Sequence, residues 1–199
     1  RETTGVSAAI AKAAEALADD LDEGTGLRIP VVAKSKAGAG RAIYIGGEFA
    51  AAKGLVPGDL ATFDNVIAEK GGDIYLFGRD VSGKPNMRNV HWFRCQLPTV
   101  KAATRFMEDV MNVRFLAPGK VGRDVPRLEK VGVASGTFSR HRPDQVYAPS
   151  RLDEMLYSYA ANQFGCAGFH TYGGHTYPAA CPRAKYFKDH PEYFAMNAK

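Results

Sequence analysis

With 199 residues, 45% of them apolar and 24% charged, the chain has the makeup of an ordinary globular protein, neither disordered nor fibrous, and is long enough to bury a core. Its net charge of +5 is scattered among acidic residues, as in LDEGTGLR and KYFKDHPE, which speaks against a nucleic-acid-binding face. No apolar run approaches the roughly 20 residues of a membrane span, and three cysteines are too few for a disulfide scaffold.

The chain starts RETTG, without methionine or an apolar h-region, so any signal peptide is expected to have been removed or to lie outside this piece. Val6, Ile10, Ala13, Ala14, Leu17 and Leu21 recur at helical spacing, and Gly24 and Gly26 follow, which predicts a helix over Val6–Glu23. RIPVVAK (28–34) and RAIYIGG (41–47) read as strands separated by the small-residue loop SKAGAG. A short helical turn is expected near Phe49–Lys53. The segment Phe63–Asp80 alternates about Gly71-Gly72, the signature of a hairpin.

Val81–Gln96, which holds Trp92, has no clear period and reads as a loop. Pro98 then opens a second amphipathic helix, with Val100, Ala103, Phe106, Met107 and Val110 on its apolar stripe. VRFLAPGK follows as a strand stopped by Pro118 and Gly119. From Leu128 a strand ending near Arg140, a helix capped by Ser150 with Asp153 three residues on, and the short strand AGFHTY form a βαβ order, hence an expected parallel pairing.

The stretch CAGFHTYGGHTYPAAC (166–181) concentrates chemistry-bearing residues. Cys166, His170, His175 and Cys181 could supply four zinc ligands, but their spacing matches no standard zinc motif. A Cys166–Cys181 disulfide and buried free thiols both remain open, and Cys95 reads as a small core residue. The position favours a pocket. His175 beside two glycines, with Tyr172 and Tyr177 for ring faces, would lie at the end of one strand, and Arg140 at the matching end of the strand before it. A guanidinium, an imidazole and aromatic faces at neighbouring strand ends suit a polyhydroxylated or acidic sugar. His170 alone reads equally as a packed core histidine. Glycoside hydrolysis needs two carboxyl groups with separated pKa values, and no such pair stands out: Asp153 and Glu154 fit a helix start, Asp189 and Glu192 a solvated face. No P-loop, GxGxxG or Ser-His-Asp order is present, so no cofactor is expected.

YIGG, IYLFGRD, ATRFMEDVMNVRFLAPGKVGRDVP and GGHTYPAACPRAKYFKDHPEYFAM together resemble bacterial proteins carrying domain of unknown function 4838, over most of the chain from about Ala8 to Lys199. These are similar to glycoside hydrolases such as the family 163 endo-β-N-acetylglucosaminidases, with an N-terminal part like the non-catalytic α+β domain of β-hexosaminidases and α-glucuronidases. The resemblance implies an α+β domain over 1–127, a sheet with helices on one face, followed over 128–199 by the first βαβ part of a truncated (β/α)8 TIM-like barrel. A complete barrel needs about 200 to 250 residues, so the catalytic acids would lie beyond this chain, and the chain alone would be inactive. It further implies a secreted or periplasmic protein with a glycan partner. Of the family's sugar-contacting positions, Arg140, with Arg142 as its alternative, His175 and Tyr177 carry over. A non-catalytic carbohydrate-binding or interaction module is the competing expectation.

Overall fold

The computed structural model describes residues 5–32, 40–80, 95–117, 120–142, 166–167 and 181–194. Two compact units emerge, 1–169 and 170–199.

The first unit is built on a helix, α1 (Gly5–Thr25), that ends as the sequence predicts. Gly26 takes a left-handed φ of 73° and donates its N–H to Asp22 O at 2.8 Å, closing the last turn. Next come β1 (Ile43–Ile45), α2 (Gly47–Ala52), β2 (Asn65–Lys70) and β3 (Asp73–Gly78). The β2–β3 hairpin turns through Gly71 and Gly72 at φ 68° and 90°, a pair of positive angles that side chains with a Cβ resist. After them lie β4 (Cys95–Gln96), α3 (Pro98–Asp109), β5 (Arg114–Phe115), β6 (Arg123–Asp124), β7 (Phe138–His141) and β8 (Cys166–Ala167).

The main sheet has four strands in the order β1-β3-β2-β7, with β1 parallel to β3 and the other neighbours antiparallel. Strand alternation divides its core in two. Ile67 and Leu76 face α1 and α3, packing with Leu17, Leu21, Val100, Phe106 and Met107. Val66, Ala68, Tyr75 and Phe77 face the opposite way, onto Ala50 of α2 and Leu60. The architecture is therefore α+β, with the two long helices on one face and the short α2 covering part of the other.

Several expectations meet a different structure. Residues 28–32 are not a strand: Ile29, Val31 and Val32 stand about half exposed and join no ladder among the described residues. Cys95 and Gln96 are not loop but strand, paired with Ala167 and Cys166. The strands expected to run parallel in a βαβ unit pair antiparallel instead, β7 with β2 and β8 with β4. The helix expected between them, Trp92, and most of AGFHTY lie outside the described residues.

In the second unit, α4 (Arg183–Tyr186) and a 3-10 turn (Pro191–Tyr193) are joined by Phe187, which meets Phe194 edge-on at 5.5 Å. No helix among the described residues is long and apolar enough to cross a membrane.

Candidate functional site

Of the sugar-contacting residues expected from sequence, Arg140 is described, and His175 and Tyr177 lie outside the described residues. Arg140 sits on β7 directly opposite Val66 of β2, so its side chain leaves the sheet on the α2 face. Its head reaches the 57–64 turn, which joins α2 to β2. That turn is shaped by Asp64, whose N–H bonds Ala61 O at 3.2 Å while its Oδ2 accepts from Ala61 N at 2.9 Å.

The guanidinium of Arg140 is fully engaged. Nε donates to Asp64 Oδ2 at 2.8 Å, Nη1 lies 3.0 Å from both carboxylate oxygens of Asp59, and Nη2 donates to Asp59 O at 2.8 Å. Nη2 also ion-pairs with Asp64. Arg142, two residues on and therefore on the same face, forks onto the same buried carboxylate through Nε (2.8 Å) and Nη2 (3.0 Å). Its Nη1 has no acceptor among the described residues, and its side chain is 62% exposed.

These contacts set the electrostatics. Hydrogen bonding from Arg142 holds Asp64 well below the usual carboxylate range, and this outweighs the opposing push of burial. Arg140 lowers Asp59 in the same way, and both arginines are pushed up by the carboxylates. Two cations and two anions therefore stay charged near neutrality. A general acid needs a raised pKa, so neither Asp59 nor Asp64 fits that task, and the cluster acts as an ionic fastening of β7.

The opposite face of β7 is fastened too. Ser139 faces α3, where the almost buried Arg105 reaches Ser139 Oγ at 2.6 Å through Nη2, Asn65 Oδ1 at 2.9 Å through Nη1, and Asp109 at 3.0 Å through Nε. Before β7, Glu69 accepts from Gly136 N with one carboxylate oxygen and from Gly72 N, at 2.6 Å, with the other. At the far end of β3, Gly78 abuts α3: Thr99 Oγ1 accepts from Gly78 N at 3.0 Å, and Asp80 Oδ1 accepts from Thr99 N at 3.0 Å, capping the helix. Burial pushes the Asp80 carboxyl up against the effect of those bonds.

Sequence reasoning missed Asp59, Asp64 and Arg105. One signal was available: Arg140 and Arg142 are spaced by two in a strand, which aims both at one partner.

In the second unit Cys181 is a free thiol. Glu192 pairs with His190 Nδ1 at 3.0 Å and stays on the surface, as expected for a solvated face. No group of histidine, cysteine and carboxylate side chains suited to a metal ion occurs among the described residues. No protein-family profile, curated protein or solved structure matches the chain.

Proposed function

We propose that the chain is the N-terminal portion of a carbohydrate-active glycoside hydrolase, secreted or periplasmic, that acts on complex glycans. In this reading the catalytic acids are carried by another part of that hydrolase, since β7 joins the antiparallel edge of the main sheet instead of opening a parallel barrel. One observation carries the reading. Described parts of the segments bearing the resemblance, Ile45 of β1, Ile74 and Leu76 of β3, and Phe106, Met111 and Phe115 between α3 and β5, pack into one hydrophobic core. An α+β core of this kind supports the reading, although the resemblance implies helices on one face of the sheet and α2 covers part of the other. The neutralised carboxylates around Arg140 agree with chemistry located elsewhere. They equally favour the second reading, a non-catalytic carbohydrate-binding or interaction module. On the first reading Arg140 or Arg142, His175 and Tyr177 contact sugar; on the geometry of β7, Arg142 has the donors to spare.

The test is to incubate glycoproteins bearing complex glycans with two proteins: the 199-residue chain and the product of its whole reading frame. Released oligosaccharide is measured by mass spectrometry. Release by the second alone is expected. Hydrolysis by the 199-residue chain, or a reading frame that adds no strands ending in Asp or Glu, would overturn the proposal.

A further inference from the structure

Within the second unit, Arg183, Ala184, Phe187, Lys188 and Pro191 line an open recess of about 670 Å³. That lies within the range of small-ligand sites, roughly 300–1,000 Å³. Neither of its two cations pairs with a carboxylate among the described residues. Among the residues described here the nearby acids are Asp189, which makes no ion pair with either, and Glu192, which is held by His190. Lys185, the other cation of α4, lies 5.0 Å from the Tyr186 ring and does not line the recess.

The guanidinium of Arg183 lies 4.0 Å from the centre of the Phe187 ring, and Phe194 meets that ring edge-on. A guanidinium packed over an aromatic face is held in place, while the N–H donors in its own plane remain open to a planar acceptor. Phe187, Ala184 and Pro191 give the recess an apolar wall. A cationic pair beside an apolar wall is complementary to a pyranose ring that carries a carboxylate or a sulfate: the anion meets Arg183 and Lys188, and the C–H face of the ring meets the wall. Two cations in one recess make no basic stripe of the kind a nucleic-acid backbone needs.

We propose that this recess binds an acidic saccharide, with its carboxylate or sulfate held between Arg183 and Lys188. The inference rests on the glycan reading above and adds to it the charge class of the glycan.

The experiment titrates the full chain by calorimetry with a sialylated trisaccharide, a sulfated counterpart, the neutral parent sugar and sodium sulfate. A second series uses the Arg183→Gln/Lys188→Gln double variant, which keeps most of both stems; its circular dichroism serves as the folding control. Expected are binding of one or both acidic sugars, at least about tenfold weaker binding of the neutral sugar, and a loss of about tenfold or more in the variant. Affinity should also fall as salt is raised. Equal binding of neutral and acidic sugars, or unchanged binding by a folded variant, would overturn the acidic-saccharide site and leave the glycan reading standing. Sulfate binding as tightly as either acidic sugar would overturn the saccharide assignment. Absence of any sugar binding would overturn the inference as well, whereas the glycan reading itself is decided separately by oligosaccharide release from the whole reading frame.

Discussion

Asp64→Asn tests the ionic fastening of β7 most directly. The Asp64 side chain is 0% exposed, and its two oxygens accept from Arg142, Arg140 and Ala61 N. Removing one member of a buried ion pair costs about 3–5 kcal/mol when the partner is stranded away from water. Here the partners are not fully stranded: the Arg140 and Arg142 side chains are 23% and 62% exposed, Arg140 keeps Asp59, and asparagine still offers one oxygen to Ala61 N. About 2–3 kcal/mol is therefore the expected loss at pH 7. For a protein of this size that lowers Tm by about 4–12 °C. The sign with pH is fixed. The folded-state pKa of Asp64 lies below its unfolded value, so its contribution is complete above the unfolded pKa of about 4 and is lost as pH falls from about 5 toward the depressed folded value. The gap between wild type and variant, measured by urea unfolding and by amide exchange at β7, should stay constant from pH 7 to about pH 5 and narrow from there toward pH 2. A variant as stable as wild type at pH 7, or a gap that does not change with pH, would refute the assignment.

Gly78→Ala should destabilise by about 1–3 kcal/mol in urea unfolding, because an added Cβ would meet Pro98 Cβ at 2.5 Å and Asp64 O at 2.7 Å, neither of which is the free end of a side chain. Thr99→Val keeps the shape but leaves the buried N–H of Gly78 without its 3.0 Å acceptor; a loss of about 1–3 kcal/mol by thermal melting is expected. Arg105→Met retains much of the buried stem and removes the bonds to Asn65 and Ser139, so hydrogen exchange should quicken in β7 well before it does in β3. Equal acceleration in both strands would show that Arg105 supports the whole sheet rather than its edge.

The elements that the sequence made legible are those whose signal is local. The stripe Ala13, Leu17, Leu21 and the stripe Val100, Ala103, Phe106, Met107 each mark a helix because the same residues that repeat at helical spacing are the ones buried against Ile67 and Leu76. The β2–β3 hairpin was legible because a Gly-Gly pair readily takes two successive positive φ angles. Residues 28–32 show the limit of that logic: RIPVV has strand-like residues, but strand propensity is a matter of fitting a half-buried surface, and no neighbour among the described residues supplies one. The partner of β7 was illegible for a related reason. FSRH contains one apolar side chain, Phe138, which is 46% exposed, and everything that positions the strand comes from far along the chain, Asp64 at 76 residues from Arg140 and Arg105 at 34 from Ser139. The candidate site divides the same way. Arg140 stood out as a polar residue at a strand end; that its donors would all be taken up by Asp59 and Asp64 depends on a turn whose shape no local pattern announces.

Polar fastening also explains why β7 has one register. In most edge strands a hydrophobic face selects the pairing, since a slip of one residue turns every side chain over. With its single apolar residue, β7 lacks that face, but its polar residues alternate as strictly as a hydrophobic pattern would. Ser139 meets Arg105 on the α3 side, while Arg140 and Arg142 meet Asp64 on the α2 side. A slip by one residue would aim Arg140 at Arg105, like charge against like, and would leave the buried carboxylate of Asp64 facing a serine. Both errors are costly where water is scarce. The charges that remove Arg140 from service as a free ligand are thus the same ones that hold the end of β7, and with it the exposed Nη1 of Arg142, at a fixed place on the rim of the sheet.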